Sequence, residues 1–293
     1  MYRIISPASS ANLACGFDSL GVCFDMANEI EFEGYQDAII VNKYADIIRN
    51  RENLIVKSYF KACEVLGYKS TGLKIDVKTG IPVSRGLGSS ASCICAGVMG
   101  AYLLSGTKIN ADDIFNISAI IEGHADNVAA NIYGGGVIAF KSGEDYKCAP
   151  FEVAEKYTFI SVIPDYKLST KKARQVLPEK YTKEDAVFNL SHAAALIRAL
   201  ESGDSSLLGE ALDDRLHQPY RIPLIENYEK IRQISLKCGA IGVYISGAGP
   251  TIMAISEGEE AANRMEIAFK AENMALTVTA NKINRKGISF SAV

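Results

Sequence analysis

The stretch that decides the fold is Pro82-Val83-Ser84-Arg85-Gly86-Leu87-Gly88-Ser89-Ser90-Ala91. Before it, Leu73-Lys74-Ile75-Asp76-Val77-Lys78 alternates apolar and polar residues with period two, the pattern of a half-buried strand. After it, residues 91–104 are rich in Ala, Cys, Met, Leu and Tyr and contain no proline, which predicts a tightly packed helix. A glycine-bearing loop therefore opens a helix. Gly86 and Gly88 permit backbone angles and close approaches that a Cβ forbids. The first helical turn adds unpaired N–H groups at the positive end of the helix dipole. Such a loop holds an anion, phosphate above all.

Other phosphate loops fit these residues less well. No Gly-Lys-Ser/Thr follows the first glycine at the spacing of a Walker A loop. The string satisfies a permissive Gly-x-Gly-x-x-Ala, but it lies past residue 80, not in the opening unit of a dinucleotide-binding domain. Nor does an acidic residue end a second strand about twenty positions on. Asp112 and Asp113 instead follow Asn110 in what reads as a helix start. A plain turn with an N-capping serine is the bland alternative for the same residues.

Further strings weigh against that alternative. Near the N-terminus lies Pro7-Ala8-Ser9-Ser10-Ala11-Asn12-Leu13-Ala14-Cys15-Gly16-Phe17-Asp18-Ser19-Leu20-Gly21, and Ser246-Gly247-Ala248-Gly249-Pro250-Thr251 sits between the apolar runs 242–245 and 252–255. In this order with residues 82–91, they resemble the three motifs of the GHMP small-molecule kinases, and the match spans almost the whole chain. Within that family Glu122-Gly123-His124-Ala125-Asp126-Asn127, Ser169-Thr170-Lys171-Lys172-Ala173-Arg174 and His217-Gln218-Pro219-Tyr220-Arg221 most resemble the branch acting on L-homoserine.

The resemblance implies an α+β GHMP kinase fold of mixed sheets and helices, with an N-terminal domain over 1–150 and a C-terminal domain over 151–293. The ATP loop, 82–92, falls between a strand and a helix. It implies phosphoryl transfer from ATP, with Mg²⁺, to the side-chain hydroxyl of L-homoserine, giving O-phospho-L-homoserine in threonine biosynthesis. Relatives acting on mevalonate, shikimate or threonine, and a nucleotide-binding module without turnover, are the alternatives. By position, Asn53, Pro82, Arg85, Gly86, Leu87, Gly88, Ser89, Ser90, Ala91 and Ser92 are the expected ATP residues, with the Ser90 hydroxyl also on Mg²⁺. Many members carry a glutamate for Mg²⁺ about three turns upstream of the Asn127 position; this chain has Asn116 there, a poorer partner for a hard cation. Asn127 stands where several relatives have an aspartate base. That implies catalysis resting on alignment and electrostatics, with Asn127, Asp126 and Asp18 as the catalytic residues.

Homoserine is a zwitterion with a primary hydroxyl, so its pocket needs a cationic clamp, an ammonium acceptor and groups that orient the hydroxyl. Arg174 and Arg221 supply the planar guanidinium forks that suit a carboxylate. Asp18 and Asp126 suit the ammonium or hydroxyl end, Asn12 and Asn127 orient the rest, and His124 belongs to the pocket. His192 and His217 read as structural.

Composition agrees. With 293 residues, 48% of them hydrophobic, the chain can bury a substantial core. A net charge of -3 with scattered Lys and Arg gives no nucleic-acid footprint. The N-terminus lacks the shape of a signal peptide, and the longest apolar segment is too short and too rich in Gly and Ser to span a membrane. The seven cysteines include no C-x-x-C pair, so reduced, mostly buried thiols in the cytoplasm are expected. A homodimer completes the expectations. Segment by segment, the pattern predicts paired strands at 30–33 and 38–41, helices over 52–66 and 112–122, and a turn entering a strand at 134–140. Gly143-Glu144-Asp145 and Pro150 read as polar linker near 150. Beyond it come a strand at 157–163, helices at 184–200, 205–214 and 225–237, two strands flanking the 246–251 loop, a helix at 259–270 and a final strand.

Overall fold

The computed structural model describes residues 1–43 and 52–293. In chain order, strands β1 (Tyr2–Ala11), β2 (Leu20–Gly34) and β3 (Ile39–Lys43) precede helix α1 (Leu54–Leu66) and strand β4 (Leu73–Lys78). Helices α2 (Ser89–Ser105), α3 (Ala111–Glu122) and α4 (Asp126–Tyr133) lead to the hairpin β5 (Gly136–Ser142) and β6 (Asp145–Phe151). The second half runs β7 (Tyr157–Pro164), α5 (Thr170–Gln175), α6 (Lys183–Ser202), α7 (Ser205–Ala211), α8 (Gln218–Arg221) and α9 (Tyr228–Lys237). It closes with β8 (Gly242–Ile245), β9 (Ile252–Glu257), α10 (Glu260–Ala271), β10 (Leu276–Asn281) and β11 (Ser289–Ala292).

Two sheets result. In the larger, seven-stranded one the order is β11-β1-β2-β4-β3, with β5 also paired to β2 and β6 to β5. The other is a four-stranded sheet, β10-β7-β9-β8, antiparallel throughout. The strands expected to pair at 30–33 and 38–41 do not pair: β4 lies between them, antiparallel to β2 and parallel to β3. The link between β2 and β3 bonds to the start of β4 (Leu73 N–H to the Ala38 carbonyl, 2.9 Å), which leaves the site beside β2 to β4. The alternation read from 73–78 is realised as Leu73, Ile75 and Val77 buried. Residues 143–150 are not a linker. Gly143-Glu144 turn the β5–β6 hairpin, and Pro150 sits on β6, which among the described residues pairs with β5 alone. A residue without an N–H is tolerated on such an edge. The chain passes from one sheet to the other over 152–156, and β11 returns to pair with β1.

Helix α2 is buried almost all round, which explains its run of small and apolar residues. A Cβ at Gly97 would stand 2.4 Å from the Ile55 carbonyl oxygen, so the bare glycine lets α1 lie against α2. One core cluster, with Phe32, Ile75, Val98 and Phe115, lies within the larger-sheet half. A second joins the sheets, combining Ala8, Leu13 and Phe24 with Phe159, Leu196 and Met253. A third, with Ile160, Ile231, Met265 and Phe269, fills the space beneath α9 and α10. All seven cysteines are free thiols. Among the described residues no helix is long and apolar enough to cross a membrane.

Candidate active site

Strand β1 is followed by three successive non-glycine residues with left-handed backbone, Asn12, Leu13 and Ala14 (φ 71°, 42° and 63°). Such a run is costly for L-residues and persists only where its surroundings hold it. Asn12 supplies part of the hold: its Nδ2 donates to the Gly247 carbonyl (2.9 Å) and its Oδ1 accepts from the Asp18 N–H (3.0 Å). The three motif strings are then tied to one another. Ser9 N–H donates to the Leu87 carbonyl (3.2 Å), Gly247 N–H to the Ala11 carbonyl (3.2 Å), and Thr251 N–H to the Arg85 carbonyl (3.2 Å). The Ser246 hydroxyl donates to the Gly86 carbonyl (2.6 Å).

This convergence also explains the loop glycines. Gly86 (φ 80°) and Gly88 (φ 70°) are left-handed. A Cβ on Gly86 would stand 2.3 Å from the Ser246 carbonyl oxygen, and one on Gly88 2.1 Å from the Ser9 hydroxyl oxygen. Close approach of protein to protein therefore demands these glycines. Helix α2 starts after Gly88 with no capping side chain, so its first N–H groups remain available to an anion. Ser90 does not cap the helix; its hydroxyl donates to Glu122 (2.7 Å).

The loop borders a cavity of about 370 Å³. Its apolar lining, Leu54, Ile55, Val77 and Val83, comes from the start of α1 and the end of β4 with the following loop. Apart from Arg85 on the loop itself, its charged lining, Asp18, Glu122, His124, Asp126, Arg174 and Arg221, comes from the turn after β1, the α3–α4 junction, α5 and α8. The charged groups form two ion-paired sets, with Arg221 held apart from both. Arg174 grips both oxygens of Asp18 (2.8 and 2.9 Å), which holds the guanidinium firmly cationic. His124 Nδ1 meets Asp126 Oδ1 at 3.0 Å, and its Nε2 lies 3.6 Å from Glu122 Oε1. Burial works against protonation of His124, but the bond to Asp126 and the two carboxylate charges outweigh it and raise the imidazole pKa. Burial raises the Glu122 carboxyl, against the pull of His124 and Ser90.

Arg221 is only 2% exposed. Its Nε donates to the Ala173 carbonyl (3.2 Å), and its Nη1 to the Gly247 carbonyl (3.0 Å) and to His217 Nδ1 (3.2 Å). Nη2 makes no hydrogen bond to the described residues, and the residue lines the cavity. Asn127 Oδ1 accepts from the Ser9 hydroxyl (2.9 Å), and its N–H donates to Asp126 Oδ1 (2.7 Å). The Asn53 side chain caps α1 by accepting from the N–H groups of Ile55 (2.9 Å) and Val56 (3.4 Å), and it too reaches the cavity. Arg85 lines the cavity beside Gly86 and pairs with Asp165 at 3.4 Å, while its buried Nη1 has no partner among the described residues.

Most residues read from sequence thus come together, and some do not. Leu87 and Ala91 turn into the core, and Ser92 is buried, donating to the Ser6 carbonyl (3.0 Å) and accepting from Asn28 (3.0 Å). These three and Pro82 lie outside the cavity lining. A helix that packs one face on the core cannot aim every residue of its first turns at a ligand. Asn116 is also elsewhere: its amide bonds the backbone of Asp112 and of Tyr146 on β6. The acid beside Ser90 is Glu122. Counting back from Asn127 along one helix misses it, because α3 stops at Gly123 (φ 87°) and α4 starts afresh at Asp126. The apolar wall was missed as well. Its signal is the apolar start of α1 directly after the capping Asn53.

Comparison with known proteins agrees with this geometry. Residues 53–135 match the model of the GHMP kinases N terminal domain, and residues 196–274 that of the GHMP kinases C terminal domain. The chain belongs to the GHMP kinase family. Relatives that it resembles over most of its length include homoserine kinases. The protein of that name from Clostridium botulinum (strain 657 / Type Ba4) is 40% identical over 260 residues, covering 89% of this chain and 88% of the relative. The one from Clostridium beijerinckii is 36% identical over 293 residues, covering 99% and 98%. The crystal structure of homoserine kinase from Cytophaga hutchinsonii superposes with a TM-score of 0.87 at 29% identity, over 99% of this chain and 96% of that one.

Proposed function

We propose that this chain transfers the γ-phosphoryl group of ATP to the side-chain hydroxyl of L-homoserine, releasing ADP and O-phospho-L-homoserine, a step of threonine biosynthesis. The observation that carries the reading is one cavity bordered at one end by the uncapped start of α2 and at the other by Arg174, Arg221, Asp18, Asp126 and Glu122. Phosphoryl transfer needs alignment and charge neutralisation more than covalent help, and those are what the residues offer. The backbone of Gly86, Gly88, Ser89 and Ser90 cradles the triphosphate, Arg85 reaches its charge, and Leu54, Ile55, Val77 and Val83 cover the base. The Ser90 hydroxyl and Glu122 carboxylate are hard oxygen donors that fit Mg²⁺ and would hold it. Bound there, the ion neutralises phosphate charge.

In the free chain Asp18 and Arg174 neutralise each other. A zwitterion satisfies both: its carboxylate takes Arg174 with Arg221, and its ammonium takes Asp18. Mevalonate and shikimate have a carboxylate but no ammonium, so either would leave Asp18 without a cation. Asp126 and Asn127 orient the hydroxyl, with Asn12 bracing the turn and His124 steadying Asp126. The hydroxyl oxygen attacks phosphorus as the bond to ADP breaks, and its proton passes to an oxygen of the transferred phosphoryl group, with no dedicated side-chain base. The free thiols suit a cytoplasmic enzyme, and a homodimer is part of the same reading. A coupled ADP-release assay over homoserine, threonine, mevalonate and shikimate tests the substrate. Homoserine is expected to give the highest kcat/KM, and a higher value for any other member overturns the choice.

A further inference from the structure

His217 is fully buried and touches both walls of the substrate end. Arginine has only donors, so the 3.2 Å contact from Arg221 Nη1 makes His217 Nδ1 the acceptor. The proton then sits on Nε2, which donates to the Ala14 carbonyl at 2.7 Å, at the end of the left-handed run that carries Asn12. One neutral ring thus bonds the carboxylate-binding arginine on one side and the strained turn on the other. The Phe17 ring stacks on it at 5.2 Å and also meets the guanidinium of Arg221 at 5.3 Å and that of Arg174 at 5.9 Å.

Protonation would set two donors, Nδ1–H and the guanidinium, against each other. The charged groups facing the ring are Asp214 from the loop after α7, Arg221 on α8 and Asp18 from the turn after β1. Asp214 does not claim the proton. It lies 3.6 Å from Nε2, and its oxygens already accept from the N–H groups of Leu216, His217 and Gln218 and from Asn189 Nδ2. Burial lowers the imidazole pKa, which favours the neutral ring that the two hydrogen bonds require.

We propose that His217 is a positioning residue for phosphoryl transfer: its Nδ1 holds Arg221 in register for the substrate carboxylate, while Nε2 ties the ring to the turn at 12–18. This rests on the reading of Arg221 as a carboxylate ligand. Two variants separate the nitrogens. In His217→Asn the amide oxygen reaches where Nδ1 stands and keeps an acceptor for Arg221. In His217→Gln the longer amide reaches where Nε2 stands and keeps only the donor to Ala14. His217→Gln is expected to raise the homoserine KM about tenfold or more, the scale of a lost hydrogen bond to a charged group, leaving the ATP KM unchanged. His217→Asn should recover most of that loss. Equal losses in the two variants, or parallel losses in homoserine and ATP KM, would mean a merely structural role and overturn the proposal. Should neither variant fold, ring ¹⁵N shifts of the intact chain decide. One of the three histidines should stay a neutral Nε2–H tautomer at a pH just below the ordinary pKa of about 6.5. An imidazolium or Nδ1–H form for His217 there contradicts the assignment. Wild-type turnover of homoserine is the control: its absence removes the substrate reading, whereas turnover with no Asn/Gln difference removes only the role of His217.

Discussion

The two arginines that face the substrate end are held in opposite ways. Arg174 is half exposed and locked to Asp18, while Arg221 is buried and anchored on backbone carbonyls and His217. An exposed pair exchanges partners cheaply; a buried guanidinium stays where its carbonyls fix it. Arg221→Ala should therefore weaken productive homoserine binding by about 1.5–3 kcal/mol without changing the KM for ATP, a split that steady-state kinetics measures directly. Glu122 is the counterpart at the phosphate end. Glu122→Gln is expected to raise the Mg²⁺ concentration for half-maximal rate about tenfold, since an amide oxygen binds a hard cation less well than a carboxylate; an unchanged Mg²⁺ titration removes Glu122 from the metal shell. Glu122 stood in the string that carried the resemblance, yet the metal position was counted to Asn116. A count along a helix cannot see the break that Gly123 introduces.

At the scale of elements, legibility followed length. Strand β4 and helix α2 were readable because six alternating residues and a long apolar run each carry a clear period. Helices α5 and α8, six and four residues long, carry none, so Arg174 and Arg221 could be found only through the strings in which they stand. The pairing of β3 with β4 was hidden because periodicity marks which face of a strand is buried, not which strand lies beside it. The loop glycines were read as room for phosphate, and the fold adds a second demand: they face Ser9 and Ser246 at distances no side chain tolerates. Gly88→Ala is accordingly expected to destabilise the chain by at least about 1–3 kcal/mol, from left-handed strain before the clash is counted. Thermal melts with and without an ATP analogue should register both a lower midpoint and a smaller ligand-induced rise; a midpoint equal to wild type would mean that the loop can relax away from Ser9.

The whole molecule is organised around contact between its two sheets. Phe24 on β2 and Phe159 on β7 meet with ring centroids 5.7 Å apart inside a core cluster drawn from both. The loops that tie this junction, 12–18, 84–90 and 246–251, are the ones that border the cavity. Phe24→Ala should cost about 3–5 kcal/mol, and calorimetry should record one cooperative transition in wild type; two separate transitions would show that the halves fold independently. Near residue 150 the chain changes sheet, and β11 later returns to β1, a pairing hidden from the sequence because a four-residue exposed edge strand carries almost no pattern. The most direct measurement is a crystal structure with homoserine and a non-hydrolysable ATP analogue together. The account predicts the triphosphate along the backbone of residues 86–90 and the homoserine carboxylate between Arg174 and Arg221, with Asp18 turned to the ammonium. A triphosphate bound away from that loop, or a carboxylate that leaves the Asp18–Arg174 pair intact, would contradict it.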